Sequence, residues 1–234
     1  MLASLLQTTR LALRRMRHAL RARPQGTPEE VFTDIYTTNA WRDKATRSES
    51  RSGPGSSLVQ TETLRKELPE LLKVLGCKSL LDAPCGDFHW MSQIQLPLEN
   101  YIGADIVGQL IDDNHRRFGG PGRKFLQLDL TRDVLPQVDV ILIRDCLVHF
   151  PIADIERTLT HLRASGAKWL LTTTFTMRRS NEDIPLGSWR PINLEAAPFH
   201  LPPPRKLLNE ACTQHHGQYA DKCLGLWAIE DLPG

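Results

Sequence analysis

The sequence is short of paired cysteines, of long apolar runs and of net charge, and each shortage excludes something. Its five cysteines, at 77, 85, 146, 212 and 223, form an odd set without a C-x-x-C pair, which matches neither a disulfide framework nor a zinc ribbon. Cys212, His215, His216 and Cys223 lie near an expected hairpin tip without that spacing, so no metal site is expected. Free thiols fit a reducing compartment, and the expected location is the cytoplasm. No apolar run approaches the roughly 20 residues of a membrane-spanning helix, and Leu11 to Ala22 interleaves arginines where a secretory signal is continuously apolar. The formal net charge is +2 over 234 residues, so the whole chain lacks the basic balance of a nucleic-acid binder. Also missing is the G-x-G-x-x-G of nicotinamide dehydrogenases. Its place holds Pro84-Cys85-Gly86-Asp87-Phe88.

The charge that is present is unevenly placed. Residues 1–28 hold six arginines (10, 14, 15, 17, 21 and 23) and no acid, which leaves 23 basic against 27 acidic residues beyond them. Leu2, Leu5, Leu6, Leu13, Met16 and Leu20 recur near helical spacing between those arginines, so residues 2–23 read as a basic amphipathic helix. Three readings stay open: a solvated extension, a helix lying on an anionic membrane surface, and an organellar transit peptide. The organisation expected is a basic extension over 1–26, N-terminal helices with a Gly/Ser loop over 27–76, and the main domain over 77–234. Thr27-Pro28-Glu29-Glu30 has the form of a capping box with Pro at the first helical position. The helix it opens would present Val31, Phe32 and Ile35 and end near Asn39. Ser52-Gly53-Pro54-Gly55-Ser56-Ser57 reads as a loop. Leu64, Leu68, Leu71, Leu72 and Leu75 form a helical stripe up to Gly76, with Pro69 expected to restart or kink it.

After Gly76 short apolar runs alternate with helical patterns. The runs are 79–81, 101–104, 125–128, 138–143 and 169–174, and the clearer helices are 107–118 and 152–164. Such alternation means parallel pairing through right-handed crossovers, hence an α/β, doubly wound sheet. Ligands in such sheets bind outside the carboxyl ends of the strands. Asp82, Asp105, Asp129 and the pair Arg144-Asp145 stand there. Three successive strand ends carrying Asp are hard to assign to folding alone, because a carboxylate at a crowded strand end costs desolvation unless something pairs with it. Asp105 follows Asp82 by 23 residues, close to the roughly 20 at which a ribose-binding acid stands in nucleotide-binding βαβ units. Each acid taken alone also fits a helix N-cap.

Leu80-Leu81-Asp82-Ala83-Pro84-Cys85-Gly86-Asp87, an acid followed by a Gly turn, resembles the first motif of the class I methyltransferases that use S-adenosyl-L-methionine. Val138 to His149 is similar to their fourth motif, and the likeness covers roughly residues 77–229. The resemblance implies a mostly parallel, seven-stranded Rossmann-like sheet that ends in a C-terminal antiparallel hairpin, over 206–209 and 224–229, preceded by N-terminal helices. It implies that Asp82, Ala83, Gly86, Asp87 and Phe88 hold the methionine end of S-adenosyl-L-methionine. Asp105 and Ile106 would hold its ribose, Asp129 and Leu130 its adenine, with Arg144 nearby. Pro84 and Phe88 stand where that family often has Gly. Trp41, Ser52 to Leu58, Asp82 to Met91 and Arg144 to His149 also resemble a bacterial subset of the family, which brings no substrate with it.

Methyl transfer from a sulfonium is an in-line displacement, so alignment and exclusion of water are the main tasks. A hydroxyl acceptor adds a need for a base. His149, just past the fourth strand, is the first candidate because its reference pKa near 6.5 suits proton transfer at neutral pH; Asp145 is second. His149 also fits a histidine that merely closes the turn before the helix at 152. Between Phe175 and Arg205 six prolines (185, 191, 198, 202, 203 and 204) replace the usual crossover helix with an irregular segment. Its Arg178, Trp189, Arg190 and His200 are candidates to hold a polar, small-molecule or glycan acceptor. Nucleic acid is not expected as the acceptor: the body is net acidic, and Arg144-Asp145-Cys146-Leu147 lacks the Pro-Pro-aromatic tetrapeptide of base-methylating enzymes. The alternative to an enzyme is a non-catalytic binding module on the same fold.

Overall fold

The computed structural model describes residues 26–42 and 49–233, so the basic segment 2–23 lies outside the described residues. The capping box forms as its residues dictate. Thr27 Oγ1 accepts the Glu30 amide at 3.3 Å and the Thr27 amide donates to Glu30 Oε2 at 2.7 Å, which starts helix α1, Pro28–Thr37. Helix α2, Glu62–Val74, runs through Pro69 as one element. The bond Pro69 cannot donate is offset by burial of Leu64, Leu68, Leu71 and Leu72, and Gly76 closes the helix end at φ +66°.

Strands β1 (Ser79–Asp82), β2 (Asn100–Asp105), β3 (Arg123–Gln127), β4 (Val140–Ile143), β5 (Trp169–Phe175), β6 (Lys206–Asn209) and β7 (Lys222–Ala228) make one sheet in the order β3-β2-β1-β4-β5-β7-β6. The first five pair in parallel; β7 is antiparallel to both β5 and β6. Neighbouring strand residues point to opposite faces, so Leu80, Leu142 and Leu171 join α2 and helix α3 (Gly108–Phe118) in one core. Leu81, Ile143 and Leu170 join helix α4 (Ile152–Ala164) in the other. No helix among the described residues is long and apolar enough to cross a membrane.

Three connections depart from regular βαβ winding, the shortest being the helix-free stretch 128–139 between β3 and β4. No α-helix follows β1; Phe88 takes φ +57°, which a right-handed helix cannot absorb, and only a single turn forms at Met91–Gln93. The Phe88 ring fills the space instead, 5.2 Å from Tyr101, 5.0 Å from Phe118 and 5.2 Å from Phe125. Residues 176–205 hold no helix or strand, as the prolines require, and bury Ile192, Leu194, Phe199 and Leu201 in the α4-side core where a crossover helix would pack. The reversal of strand order between β1 and β4 lies between these irregular segments, and there the site forms.

Candidate active site

The carboxyl ends of the strands open into a cavity of about 470 Å³. The β1–β3 half of its wall is acidic. Asp82 is buried, and the Tyr101 hydroxyl donates to its Oδ2 at 2.5 Å; burial nevertheless pushes its pKa up to about 7. Asp105 accepts the Gly86 amide at 3.2 Å on one oxygen and the Val107 amide at 3.1 Å on the other. Its pKa is raised by desolvation to about 6. Asp129 is buried and accepts the Thr131 amide at 2.8 Å and the Thr131 hydroxyl at 2.7 Å, both on Oδ1. Ala83, Ile106 and Leu130 add apolar wall between these acids.

Over this half lies a strap, residues 50–56, which the sequence suggests only as a loop. Asp87 accepts the Ser50 hydroxyl at 2.9 Å, the Arg51 amide at 2.7 Å and the Ser52 hydroxyl at 3.3 Å, while its own amide donates to Ser52 Oγ at 2.9 Å. The Asp87 carboxylate is thus engaged by the strap, while the residue also lines the cavity. Gly86 has φ +54°, and a Cβ there would fall 2.3 Å from Ser52 Oγ, so the close approach this glycine permits is that of Ser52. Phe88 is corrected: its ring lies in the core and not on the cavity.

The β4–β7 half is built around four charges. Arg144 donates to Glu210 Oε2 at 2.6 Å and to the Gly55 carbonyl at 2.9 Å, and lies 3.4 Å from Asp145. Lys222 donates to Asp145 Oδ2 at 2.6 Å and lies 3.2 Å from Glu210. Arg144, Glu210 and Lys222 are buried, which is tolerable only because the set sums to zero and each charge touches an opposite one. The two cations hold the Asp145 carboxyl well below the usual carboxylate range, so it is a poor proton acceptor. His149 lies with its Nδ1 2.8 Å from the Ser188 carbonyl and its ring stacked on Trp41 at 4.4 Å. Desolvation pushes its pKa down to about 4, so it is neutral at pH 7. A neutral ring that donates from Nδ1 keeps its lone pair on Nε2.

Of the residues expected to hold the acceptor, only Trp189 lines the cavity. Arg190 is turned into the protein, donating to the carbonyls of Leu147, Phe150 and Glu182 and so tying the Pro-rich segment to the turn after β4. Arg178 pairs with Asp221 at 3.3 Å, and His200 is exposed away from the cavity. Arg190 is consumed by backbone carbonyls that need donors, two of them in the turn after β4, and Arg178 by the Asp221 carboxylate and the Gln218 carbonyl. Residues not foreseen are Phe32, Gly55, Glu210, Lys222 and Tyr219. Glu210 and Lys222 had one available signal, two opposite charges at the facing ends of an otherwise apolar hairpin.

No protein-family model matches the chain, and no curated protein sequence matches it. Among solved structures it is similar to magnesium protoporphyrin IX methyltransferase from Synechocystis PCC 6803 with bound SAM, with a TM-score of 0.50 at 13% identity over 68% of this chain and 82% of that one. The SAH-bound structure of the same protein gives a TM-score of 0.50 at 14% identity over 64% and 73%. The methyltransferase domain of bacterial CtHen1 gives 0.44 at 14% identity; the match spans 50% of this chain and 66% of that one. At these identities the likeness establishes architecture. The chain has the class I methyltransferase fold, a Rossmann-like sheet with its antiparallel strand β7 inserted between β5 and β6.

Proposed function

We propose that the protein is an S-adenosyl-L-methionine-dependent methyltransferase acting on a small-molecule or glycan acceptor. The observation that carries this reading is the acidic ladder, three carboxylates at the ends of three adjacent parallel strands around one cavity. Asp82 and Asp105 have raised pKa values, so a ligand that brings positive charge and hydroxyl donors offsets a desolvation cost already present. The donor set fits this cofactor. A carboxylate offers about four acceptor positions; Asp105 uses two on backbone amides, which leaves two for the hydroxyls of a ribose. Asp129 has Oδ2 left for an exocyclic amine, with Leu130 and Ile106 against a flat base. Asp82 and Ala83 would meet the methionine end.

When bound, the cofactor supplies a methyl group carried on a sulfonium. The chain's own residues then have three tasks. The strap and α1 cover the cavity and exclude water. Asp145, ionised and held by Arg144 and Lys222, orients acceptor donors. His149 Nε2 takes the proton that a hydroxyl acceptor releases, and its low pKa keeps it in the base form at every pH above about 4. The proposed location is the cytoplasm, with residues 2–23 contacting an anionic membrane surface.

The test is calorimetric titration with S-adenosylhomocysteine of the wild type and Asp105→Ala. Two charge-assisted hydrogen bonds at roughly 1.5 kcal/mol each predict binding weakened by about a hundredfold or more. Unchanged affinity in a folded variant defeats the ribose assignment, and a wild type that does not bind defeats the reading.

A further inference from the structure

The acceptor end of the cavity is walled by aromatic rings that support one another. On one side Trp41 stacks on His149 at 4.4 Å, with Phe32 at 5.9 Å from Trp41. On the other, Trp189 lies 5.0 Å from Tyr219, and Phe175 backs both at 6.1 and 5.8 Å. All six line the cavity. Because each ring is held by a neighbour, both walls are ordered before any acceptor arrives.

The charges at this end are already spent. Arg144 and Lys222 are matched by Asp145 and Glu210. Arg178 and Arg190 are engaged elsewhere, and Arg51, the remaining cation of the wall, sits at the Asp87 end with its guanidinium over Tyr36 at 4.1 Å. Among the described residues an anionic acceptor finds no unpaired cation at this end, and the carboxylate beside His149, Asp145, already has two cations on it. A sugar carries many hydroxyls, each of which needs a partner once desolvated. Beyond His149 and the paired charges, the polar groups that line this end are few: the side chains of Ser56, Cys212, Gln214 and His215 and the polar edges of Tyr219 and the two tryptophans.

Resting on the methyl-transfer reading, we infer that the acceptor is an uncharged, planar aromatic alcohol whose ring lies against these aromatic walls and whose hydroxyl reaches His149 Nε2. An aromatic hydroxyl, with a reference pKa near 10, also releases its proton to so weak a base more readily than a sugar hydroxyl does. Ring-on-ring contact adds about two- to tenfold in affinity beyond apolar area alone, so planarity itself is part of the recognition.

The experiment uses the full chain saturated with S-adenosylhomocysteine and four probes matched in size or group: 2-naphthol, decahydro-2-naphthol, 2-naphthoate and methyl glucoside. Binding is followed by calorimetry and by quenching of tryptophan fluorescence. 2-Naphthol is expected to bind about two- to tenfold more tightly than decahydro-2-naphthol and about tenfold or more tightly than the naphthoate and the glucoside. Trp41→Leu should erase most of that preference and Trp41→Phe restore it, with S-adenosylhomocysteine affinity changed less than about twofold. Equal binding of decahydro-2-naphthol, a preference for the glucoside or the naphthoate, or no 2-naphthol binding beside intact S-adenosylhomocysteine binding overturns the inference alone. Failure to bind S-adenosylhomocysteine overturns the reading beneath it.

Discussion

The two halves of the cavity solve the burial of charge in opposite ways. On the β1–β3 side the acids lean on neutral donors, Asp82 on the Tyr101 hydroxyl, Asp105 on the Val107 and Gly86 amides, Asp129 on Thr131. Two of these acids remain underpaid in desolvation, with pKa values raised to about 7 and 6. On the β4–β7 side Asp145 and Glu210 meet Arg144 and Lys222, and the set is neutral without a ligand. A half that keeps unpaired acids is built to be completed by something else. A half that is already neutral is built to hold shape.

That contrast predicts where stability is most easily broken. Lys222→Met leaves Asp145 and Glu210 sharing one cation, and removing one partner of a buried ion pair costs about 3–5 kcal/mol. Glu210→Leu should cost a similar amount for the converse reason. The double variant keeps the neutral Arg144–Asp145 pair and should recover most of either loss, since a buried pair replaced by apolar groups is often close to neutral. Urea unfolding of the three variants measures this. Additive losses would mean that Glu210 and Lys222 are not coupled, and the neutral-cluster account would fail.

The second contrast is in pH. Asp82 and Asp105 have folded pKa values above the ordinary 3.8, so the folded state binds more protons than the unfolded between about pH 4 and 7. Their contribution to stability is full below about pH 4 and is lost as pH rises through 6 and 7. His149 is shifted the other way, from 6.5 to about 4, so its contribution is full above pH 6.5 and is lost as pH falls through 4. Accordingly Asp82→Asn should gain stability over the wild type as pH rises from 5 to 7.5, whereas His149→Gln should gain on it as pH falls from 6.5 to 4. Unfolding measured across that range decides both signs. On the proposed reading the cofactor pairs with ionised Asp82 and Asp105, so S-adenosylhomocysteine affinity should also rise from pH 5 to 7.5, with protons released on binding.

The same division explains what could be read from the residues. The strand ends at Asp82 and Asp105 and the acid just past β3 were legible because each is announced by an apolar run and a turn next to it. The α1 capping box was legible for the same reason: all its bonds lie within four residues. The β4–β7 half was not. Arg144 meets Gly55 across 89 residues and Glu210 across 66, and Asp145 meets Lys222 across 77; no local pattern encodes such pairs. Arg178 and Arg190 illustrate the opposite failure. Their composition suited an acceptor, but Arg190 is taken by backbone carbonyls and Arg178 by Asp221 and the Gln218 carbonyl, partners 43 and 40 residues away. Phe88 misled in a third way, because its position in a ligand motif said nothing of its left-handed φ, which aims the ring at Tyr101 and Phe125.

The smallest effect is expected from the region most unlike the rest in charge. Residues 1–24 carry six arginines and no acid, against a net-acidic remainder, and α1 opens at Pro28 with its own capping box and needs nothing upstream to start. A chain beginning at Gln25 should therefore melt within about 2–4 °C of the full chain, the shift that about 1 kcal/mol gives in a domain of this size. It should bind S-adenosylhomocysteine equally well. Its binding to vesicles containing phosphatidylserine should differ far more, because each basic residue near an anionic surface contributes about 1 kcal/mol. Co-sedimentation of both chains with neutral and with anionic vesicles separates the cases. Retention of the truncated chain on anionic vesicles removes the membrane role from residues 2–23. A melting temperature lowered well beyond that range means that Leu5, Leu13 and Leu20 pack against the domain, and the basic segment is then part of the fold.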